Sequence, residues 1–191
     1  MRTKLLIALA LCLALKTAMP LDGMAQNVAL STNLAGLANF GTMNLEASMS
    51  VARHWTVNAG VRYNPFSFGG GEDGNGGRQY RQRSVNAGAR YWPWHIYSGW
   101  WAAAKAQYQE YNTGGFYSPE TREGDRYGAG LSLGYSHMLG THFNVEIGAG
   151  LWGGMDNYVL YSCPTCGRIL DRGNATFVML NEVLLSLSYI F

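Results

Sequence analysis

The chain has 191 residues, with 14 Lys and Arg against 12 Asp and Glu, which gives a formal net charge of +2. Three of the basic residues and one acidic residue lie in the first 25 positions, so the remainder is neutral and does not indicate a nucleic acid or an acidic substrate. The 25 Gly, the 13% aromatic content and only three Cys favour one β-rich domain of the cell envelope over a disulfide framework.

Residues 1–25 are predicted to be a cleaved signal peptide. Arg2 and Lys4 form its charged start, residues 5–15 form an apolar run, and small residues follow before the expected cleavage site. The run is too short to cross a bilayer as a helix, and no later segment is a long uncharged apolar stretch. We therefore expect one mature domain over residues 26–191, without a transmembrane helix.

The mature chain contains eight segments in which apolar and polar residues alternate, which is the period of a β-strand. The second and third segments are the most regular, and the first is the least regular. This pattern predicts eight antiparallel strands connected in chain order. The predicted strands are residues 28–37, 43–51, 55–63, 85–91, 100–108, 127–135, 143–151 and 183–191.

The polar faces of these segments distinguish a membrane barrel from a soluble β-fold. In a soluble barrel the polar face meets water and favours large charged side chains. Here it is mostly Gly, Ser and Asn, which fit the crowded inside of a small barrel, and aromatic residues lie at the strand ends as in interfacial girdles. We therefore expect an all-β, eight-stranded antiparallel up-and-down transmembrane β-barrel. The girdle residues are Trp55, Tyr63, Tyr91, Trp100, Tyr108, Tyr127, Tyr135, Phe143, Tyr189 and Phe191.

The last predicted strand ends on an aromatic residue. Leu187, Tyr189 and Phe191 alternate with small or apolar residues and form the pattern that the outer-membrane assembly machinery reads on a final strand. The pattern predicts an integral outer-membrane protein. Its expected partners are outer-membrane lipid, lipopolysaccharide and the barrel assembly machinery.

The connections between the strands alternate in length and so predict an orientation. In small outer-membrane barrels the short turns face the periplasm and the long loops face outside. The short connections are residues 52–54, 92–97 and 137–142, and the long ones are residues 64–83, 112–126 and 153–176.

Six charged residues, three of each sign, fall on the predicted interior face. A charge in a narrow interior is costly unless it is paired, so we expect a salt-bridge network that also fills the lumen. An eight-stranded barrel has room for side chains but not for an aqueous channel, which disfavours a pore. The six residues are Glu46, Arg62, Arg90, Lys105, Glu146 and Glu182.

Cys163 and Cys166 form the strongest local motif. Tetrahedral zinc needs four ligands, and no second Cys pair or His pair lies near this one in the sequence. A small disulfide in an exported loop is the favoured interpretation. A metal shared between subunits and a pair of free thiols are the alternatives, and we predict no metal site and no cofactor.

Four His residues, His54, His95, His137 and His142, fall in the predicted periplasmic turns. An enzyme that modifies lipid A would need its nucleophile and base on the outer-leaflet side, where the acyl chains are. Ser136 beside His137 lies at the opposite end. The sequence therefore predicts no catalytic residue.

Eight short blocks along the mature chain form an ordered set. They are Ser31-Thr32-Asn33-Leu34, Tyr63-Asn64-Pro65-Phe66, Ala89-Arg90-Tyr91-Trp92-Pro93, Tyr111-Asn112-Thr113-Gly114-Gly115, Tyr127-Gly128-Ala129-Gly130, Phe143-Asn144-Val145-Glu146, Cys163-Pro164-Thr165-Cys166-Gly167 and Leu187-Ser188-Tyr189-Ile190-Phe191. The set resembles a Bacteroidota outer-membrane β-barrel family known as a domain of unknown function (DUF3575-like), often encoded near fimbrial loci. The resemblance implies a barrel in the envelope but no catalytic residues. A shorter first loop and a Gly-rich second loop depart from the family pattern, so a surface partner of a relative need not transfer.

These patterns together predict a small non-enzymatic outer-membrane β-barrel with a structural or surface-interaction role in the envelope. The resemblance adds a fimbrial or other surface protein as a partner. The alternatives are a barrel enzyme that modifies lipid A and a minor solute pore. The Gly-rich loop over residues 69–77, followed by basic residues, is interpreted as solvated, with contacts to glycan, lipopolysaccharide phosphate or an adhesin as alternatives.

Overall fold

The computed structural model describes residues 28–68, 77–116, 119–163 and 167–191, and of residues 181 and 182 it describes the backbone alone. The predicted signal peptide and most of the Gly-rich loop lie outside the described residues. The described elements are β1 (Val28–Asn33), α1 (Leu34–Ala38), β2 (Met43–Ala52), β3 (Trp55–Asn64), β4 (Ser67–Phe68), β5 (Arg78–Tyr91), β6 (Gly99–Gly114), β7 (Thr121–Leu139), β8 (Phe143–Tyr161) and β9 (Ile169–Ile190).

The strands form one antiparallel sheet in which eight strands close into a ring. The first and last strands pair, with Leu30 opposite Tyr189. β3 pairs with β5, with Val57 opposite Ala89, so the two-residue β4 lies beside the ring and pairs with β5. The prediction of an all-β antiparallel fold built from eight strands in chain order is confirmed.

The ring is apolar on its outer face and polar on its inner face. Val178 is 80% exposed and Leu131 is 71% exposed, whereas Thr56 and Asn144 are buried inside. Successive residues of a strand point to opposite faces, so each alternating segment supplies both surfaces. A sheet in water has the opposite arrangement, with its apolar face covered. Among the described residues, no helix has the length and apolarity needed to cross a membrane.

The two ends of the ring differ. At one end, the turn end, the strands are joined by residues 53–54, 92–98 and 140–142. At the opposite, open end the strands reach different heights. β2 and β3 have 10 residues each, whereas β7 and β8 have 19 and β9 has 22. The wall of the ring is therefore low at β2 and β3 and tall from β7 to β9.

A buried apolar cluster closes the turn end. The segment over residues 92–98, predicted as a simple turn, folds back into the ring. Trp92 is completely buried, and its indole nitrogen donates a 3.1 Å hydrogen bond to Oγ1 of Thr56. The hydroxyl of Tyr97 contacts Oγ of Ser48 at 3.2 Å. The segment therefore acts as a lid over this end of the interior.

Trp101 of β6 belongs to the same buried cluster. Its indole packs against the backbone of Gly134, where a side chain would leave no room for it. A Cβ atom added to Gly134 would lie 2.4 Å from Cζ2 of the Trp101 ring, a distance at which atoms overlap. Any larger residue at position 134 would displace the ring. The glycine-rich inner face of β7 is thus the space in which the indole packs.

The prediction of the first strand over residues 28–37 is wrong at its C-terminal end. β1 stops at Asn33, and residues 34–38 form one helical turn instead. The side-chain oxygen of Asn33 accepts hydrogen bonds from the backbone nitrogens of Ala35 and Gly36, at 3.0 and 3.4 Å. This is the geometry of a helix N-cap, and it turns the chain away from the strand.

The prediction of long outer loops is also corrected, because most of the residues assigned to those loops belong to strands. The ladder between β6 and β7 continues from Tyr108 opposite Tyr127 to Gly114 opposite Thr121. β8 and β9 pair in the same way up to Tyr161. In the outer halves of β6 and β7 most residues on both faces are polar, so the apolar alternation that reveals a strand is absent although the backbone ladder continues. β8 and β9 keep isolated apolar residues there, such as Ile169 and Leu170, without a regular alternation.

A β-bulge in β9 reverses the phase of its side chains. Gly150 lies opposite Glu182, but Leu151 lies opposite Leu180, so β9 holds one extra residue. Leu180 and Val183 are both exposed on the outer face as a result. The bulge lets this strand present apolar residues on the outer face on both sides of the extra residue, whereas Arg172, Asn174 and Thr176 face outward nearer its start.

Candidate functional site

Four charged side chains meet inside the turn half of the ring. The guanidinium of Arg90 lies 2.9 and 3.1 Å from the carboxylate oxygens of Glu146 and 3.0 Å from Glu46. Nζ of Lys105 lies 2.8 Å from the other oxygen of Glu46. The four charges balance, and each carboxylate has at least one cationic partner, as burial of charge requires.

Aromatic rings hold the central guanidinium from its flat side. Cζ of Arg90 lies 4.1 Å from the centre of the Trp101 ring and 5.5 Å from that of Trp92. Such contacts are attractive, more so when they are shielded from water. Only about 30 Å³ of open space remains beside Arg90, Glu46 and Glu146. The network therefore fills the interior at this level.

Four of the six predicted interior charges thus lie together. Arg62 is half-buried and lines the wider space toward the open end. The side chain of Glu182 lies outside the described residues. The sequence analysis missed Trp92, Trp101 and the segment that carries Tyr97. Trp101 was detectable in principle, because it stands alone as a large aromatic residue among the small residues of an inward face.

A second charged cluster lies higher in the ring. Asp156 is 2% exposed, and its carboxylate accepts a 2.8 Å hydrogen bond from the Tyr111 hydroxyl. Arg122 and Arg126 lie 2.9 and 3.2 Å from the other oxygen. Burial, and then the hydrogen bond to Asp156, raise the pKa of Tyr111 to about 12, so the phenol keeps its proton at neutral pH. The sequence analysis missed this cluster because it predicted residues 112–126, which include the two Arg residues, and residues 153–176, which include Asp156, to be loops.

Ser136 and its neighbour His137 lie on opposite faces of the same strand. Ser136 points inward, where it accepts a 2.5 Å hydrogen bond from Nδ2 of Asn144 and donates to the carbonyl oxygen of Tyr97. His137 is exposed on the opposite face of the same strand. Nδ1 of His54 and of His142 lie 2.9 and 3.0 Å from the backbone carbonyl oxygens of Trp92 and Ile190. These two rings thus tie turns to strand ends.

Cys163 is buried and disulfide-bonded. Its predicted partner, Cys166, lies outside the described residues. Within the described part of the chain, no three His, Cys, Asp or Glu side chains come together as a metal site would require.

A cup of about 850 Å³ opens above the charged network, at the open end of the ring. Its inner wall is rich in amide side chains. Nε2 of Gln109 donates a 2.7 Å hydrogen bond to Oε1 of Gln82, and Nε2 of Gln82 lies 3.3 Å from Oγ1 of Thr42. Nδ2 of the buried Asn64 donates to the same hydroxyl at 3.0 Å. Gln82, Gln109 and Thr42 line the cup, and Asn64 supports the Thr42 hydroxyl from outside the lining. We call Gln82, Gln109 and Thr42 the amide layer.

Aromatic side chains stand at the mouth of the cup. The ring of Phe40 lies 4.8 Å from Tyr80, 5.3 Å from Phe116 and 5.8 Å from Phe68, measured between centroids. Phe66 adjoins Phe68 at 6.3 Å. Phe40, Phe66 and Phe68 are each exposed by about two fifths of their surface. Phe40, Tyr80 and Phe116 line the cup, and Phe66 and Phe68 extend the group beyond the lining. We call these five residues the aromatic rim.

The backbone at Phe40 is strained in a way that places its ring on the rim. Its φ angle is +52°, a left-handed conformation that bulky residues rarely adopt. Nδ2 of Asn64 holds the Phe40 carbonyl oxygen at 3.0 Å, and Nδ2 of Asn39 donates to the hydroxyl of Tyr80. Such strain persists only where the surroundings impose it, and it is concentrated at functional positions.

Comparison with known proteins gives one family and no curated relative. The model of the family described as "Protein of unknown function (DUF3575)" matches residues 6–191. No curated protein matches the chain. The match covers nearly the whole chain, so the protein belongs to this family, as the ordered blocks of the sequence predicted. The Bacteroidota and fimbrial context stays a prediction.

Proposed function

We propose that this member of the DUF3575 family is a small non-enzymatic β-barrel of the bacterial outer membrane with a surface-interaction role. The observation that carries the proposal is the inverted polarity of the ring. A polar, filled interior and an apolar exterior suit a protein whose outer solvent is lipid.

The height of the apolar band supports this proposal. On the outer face of β7, apolar side chains run from Tyr127 to Tyr135, which corresponds to about 27 Å of strand. These nine residues match the length of about 9–11 residues that a tilted strand needs to cross a bilayer. Exposed aromatic side chains mark both limits of the band, and Trp100 packs against Tyr135 with 5.4 Å between centroids. These rings correspond to the predicted girdles.

The position of exterior charges supports the same boundary. Arg83 and Glu110 form an ion pair on the outer face, one outward position above Tyr108. The Tyr108 hydroxyl lies 3.2 Å from carboxylates of Glu110 and Asp125. Charged groups at this height would lie among lipid headgroups, where lipopolysaccharide offers partners of both signs. The aromatic residue below them would lie at the interface.

The interior supports a plugged barrel over a pore. Arg90 and Lys105 are nearly buried between carboxylates and rings, and the segment over residues 92–98 covers the turn end below them. An eight-stranded barrel encloses only enough room for side chains. The cup is thus accessible from the open end of the ring and closed toward the turn end.

The non-enzymatic part of the proposal is supported by how the nucleophile candidate is held. The hydroxyl of Ser136 is buried, engaged on both sides and below the charged network. Lipid acyl chains outside the wall would have no access to it.

Export and assembly complete the proposal. Residues 1–25 would direct export and be removed, and the last strand would be read by the barrel assembly machinery. The backbone nitrogen of Phe191 donates to the carbonyl oxygen of Val28 at 2.9 Å, so the end of the chain closes the ring. Outer-membrane lipid and lipopolysaccharide would surround the wall, and a fimbrial or other surface protein is the partner that the family resemblance implies.

Fractionation of cells and a heat-modifiable gel shift test the proposal. We expect the protein in the outer-membrane fraction, migrating as a compact form unless boiled, and we expect no discrete openings when it is reconstituted in planar bilayers. A soluble periplasmic protein without a gel shift would overturn the barrel assignment. Steady single-channel conductance would overturn the plug.

A further inference from the structure

We propose that the cup binds a short oligosaccharide, with sugar rings stacked on the aromatic rim and hydroxyl groups hydrogen-bonded by the amide layer. This inference deepens the surface role proposed above and rests on it. It assigns a ligand class to the open end of the ring.

The size and shape of the cup suit a small ligand. Its volume of about 850 Å³ lies within the range of about 300–1,000 Å³ typical of ligand pockets. Gln107 and Trp152, both buried, line its lower part, and Lys105 of the charged network lies one inward position below Gln107 on β6, so a ligand entering at the mouth meets a closed bottom. A short chain of a few sugar units is of the right scale.

The amide layer provides the hydrogen-bonding chemistry that a polyhydroxylated ligand needs. A primary amide carries two donors and an oxygen with two acceptor sites, so it can pair with a hydroxyl group in either role. The contacts among Gln82, Gln109 and Thr42 fix the orientation of these groups before a ligand arrives. Preorganisation of this kind lowers the entropic cost of binding.

The aromatic rim provides the second half of sugar recognition. The C–H groups on one face of a pyranose are weakly positive, and the face of an aromatic ring is negative, so the two attract. Phe40, Tyr80 and Phe116 form a contiguous group that lines the mouth of the cup. The strained backbone of Phe40 is what holds its ring in this group.

Other ligand classes fit this surface less well. An acyl chain would need a continuous apolar wall, whereas the wall beside Trp152 carries the amide groups of Gln82 and Gln109. A nucleic acid would need an excess of positive charge, and the chain beyond the predicted leader is neutral. Arg62 and Arg126 lie on the wall and Glu120 lies near the mouth, so the cup accepts a sugar that carries a carboxylate as well as a neutral one.

Isothermal titration of the folded protein tests the proposal. The protein is held in lauryldimethylamine oxide, which carries no sugar, and titrated with maltotriose, chitotriose, trigalacturonate and core oligosaccharide released from the host lipopolysaccharide. Comparison of trigalacturonate with maltotriose and chitotriose distinguishes acidic from neutral sugars. Comparison with the core oligosaccharide distinguishes the glycan of the envelope from other saccharides. We expect at least one of them to bind with a Kd below 1 mM.

Two pairs of variants connect binding to the cup. Phe40→Ala and Gln109→Leu should each weaken binding by about tenfold or more, equivalent to about 1.4 kcal/mol. Phe143→Ala and Asn157→Leu are the matched controls, because both side chains are exposed on the outer face, and their Kd should stay within about twofold. Each variant is first shown to be folded by its heat-modifiable gel shift.

A measurement on the unmodified protein keeps the proposal testable if a variant fails to fold. Saturation-transfer difference NMR should pass magnetisation from aromatic protons to the ring protons of the bound sugar. Absence of binding by all four probes would overturn the inference, as would binding that survives both cup variants. A folded outer-membrane protein that binds none of them refutes the saccharide site alone, whereas a soluble protein without a gel shift refutes the proposed function.

Discussion

Replacing Glu146 by Ala tests how much the interior network contributes to stability. Glu146 makes two contacts with the guanidinium of Arg90, at 2.9 and 3.1 Å, and Arg90 is only 4% exposed. Removing one partner of a buried ion pair costs about 3–5 kcal/mol, because the other charge is left without its counterion. Arg90 would keep Glu46 and the Trp101 ring, so we expect the lower end, about 3 kcal/mol.

The assay is urea unfolding of protein folded into phospholipid vesicles, followed by tryptophan fluorescence. With a typical m value of about 1–3 kcal/mol/M, the midpoint should fall by about 1–3 M. Glu123→Ala is the matched control, because this carboxylate is exposed on the outer face of β7, and its cost should stay within about 0.5 kcal/mol. Equal midpoints for the two variants would refute the reasoning.

Three further predictions concern other parts of the ring. Phe191→Ala should reduce assembly of the ring, since Phe191 ends the strand that closes it, and undiminished heat-modifiable protein in the outer membrane would contradict this. Cys163→Ser should leave assembly intact, and mass spectrometry after alkylation should find no free thiol on Cys163 in the native protein; an alkylated Cys163 there would exclude the bridge. Gly134→Ala should cost about 1–3 kcal/mol, because the new methyl group would overlap the buried indole beside it. Gly173→Ala, whose methyl group would meet its nearest neighbour at 3.5 Å, should be close to neutral in the same unfolding assay.

The ring could be predicted from the sequence because its lower half obeys one simple rule. From Trp55 to Tyr63, for example, every second residue is apolar and faces outward, and the residues between them are small or polar and face inward. The same rule placed Arg90 and Glu146 on the inner face, although it could not say which charges would meet. Partner choice depends on the register between strands, and the sequence pattern does not specify register.

The upper half of the ring and the cup escaped prediction for a physical reason. Above Tyr108 and Tyr127 the outer face meets polar surroundings in our proposal, so it no longer needs apolar residues, and the alternation ends although the strands continue. Asp156 and Arg126 were therefore assigned to loops. The left-handed backbone at Phe40 is equally hidden, since Phe is among the residues least expected to adopt it.

The uneven height of the wall determines the direction from which a ligand reaches the cup. Among the described residues, β2 and β3 have 10 residues each where β9 has 22, so the strands form a lower edge of the mouth on the β2–β3 side than on the β9 side. Phe40, Phe66 and Phe68 stand on that edge, close to the level at which the membrane surface would lie. A chain tethered to the membrane beside the protein would slide in laterally, parallel to the bilayer, whereas one descending from the medium would first meet the tall back wall. The protein would then bind saccharides attached to neighbouring molecules of the cell surface in preference to saccharides free in the medium.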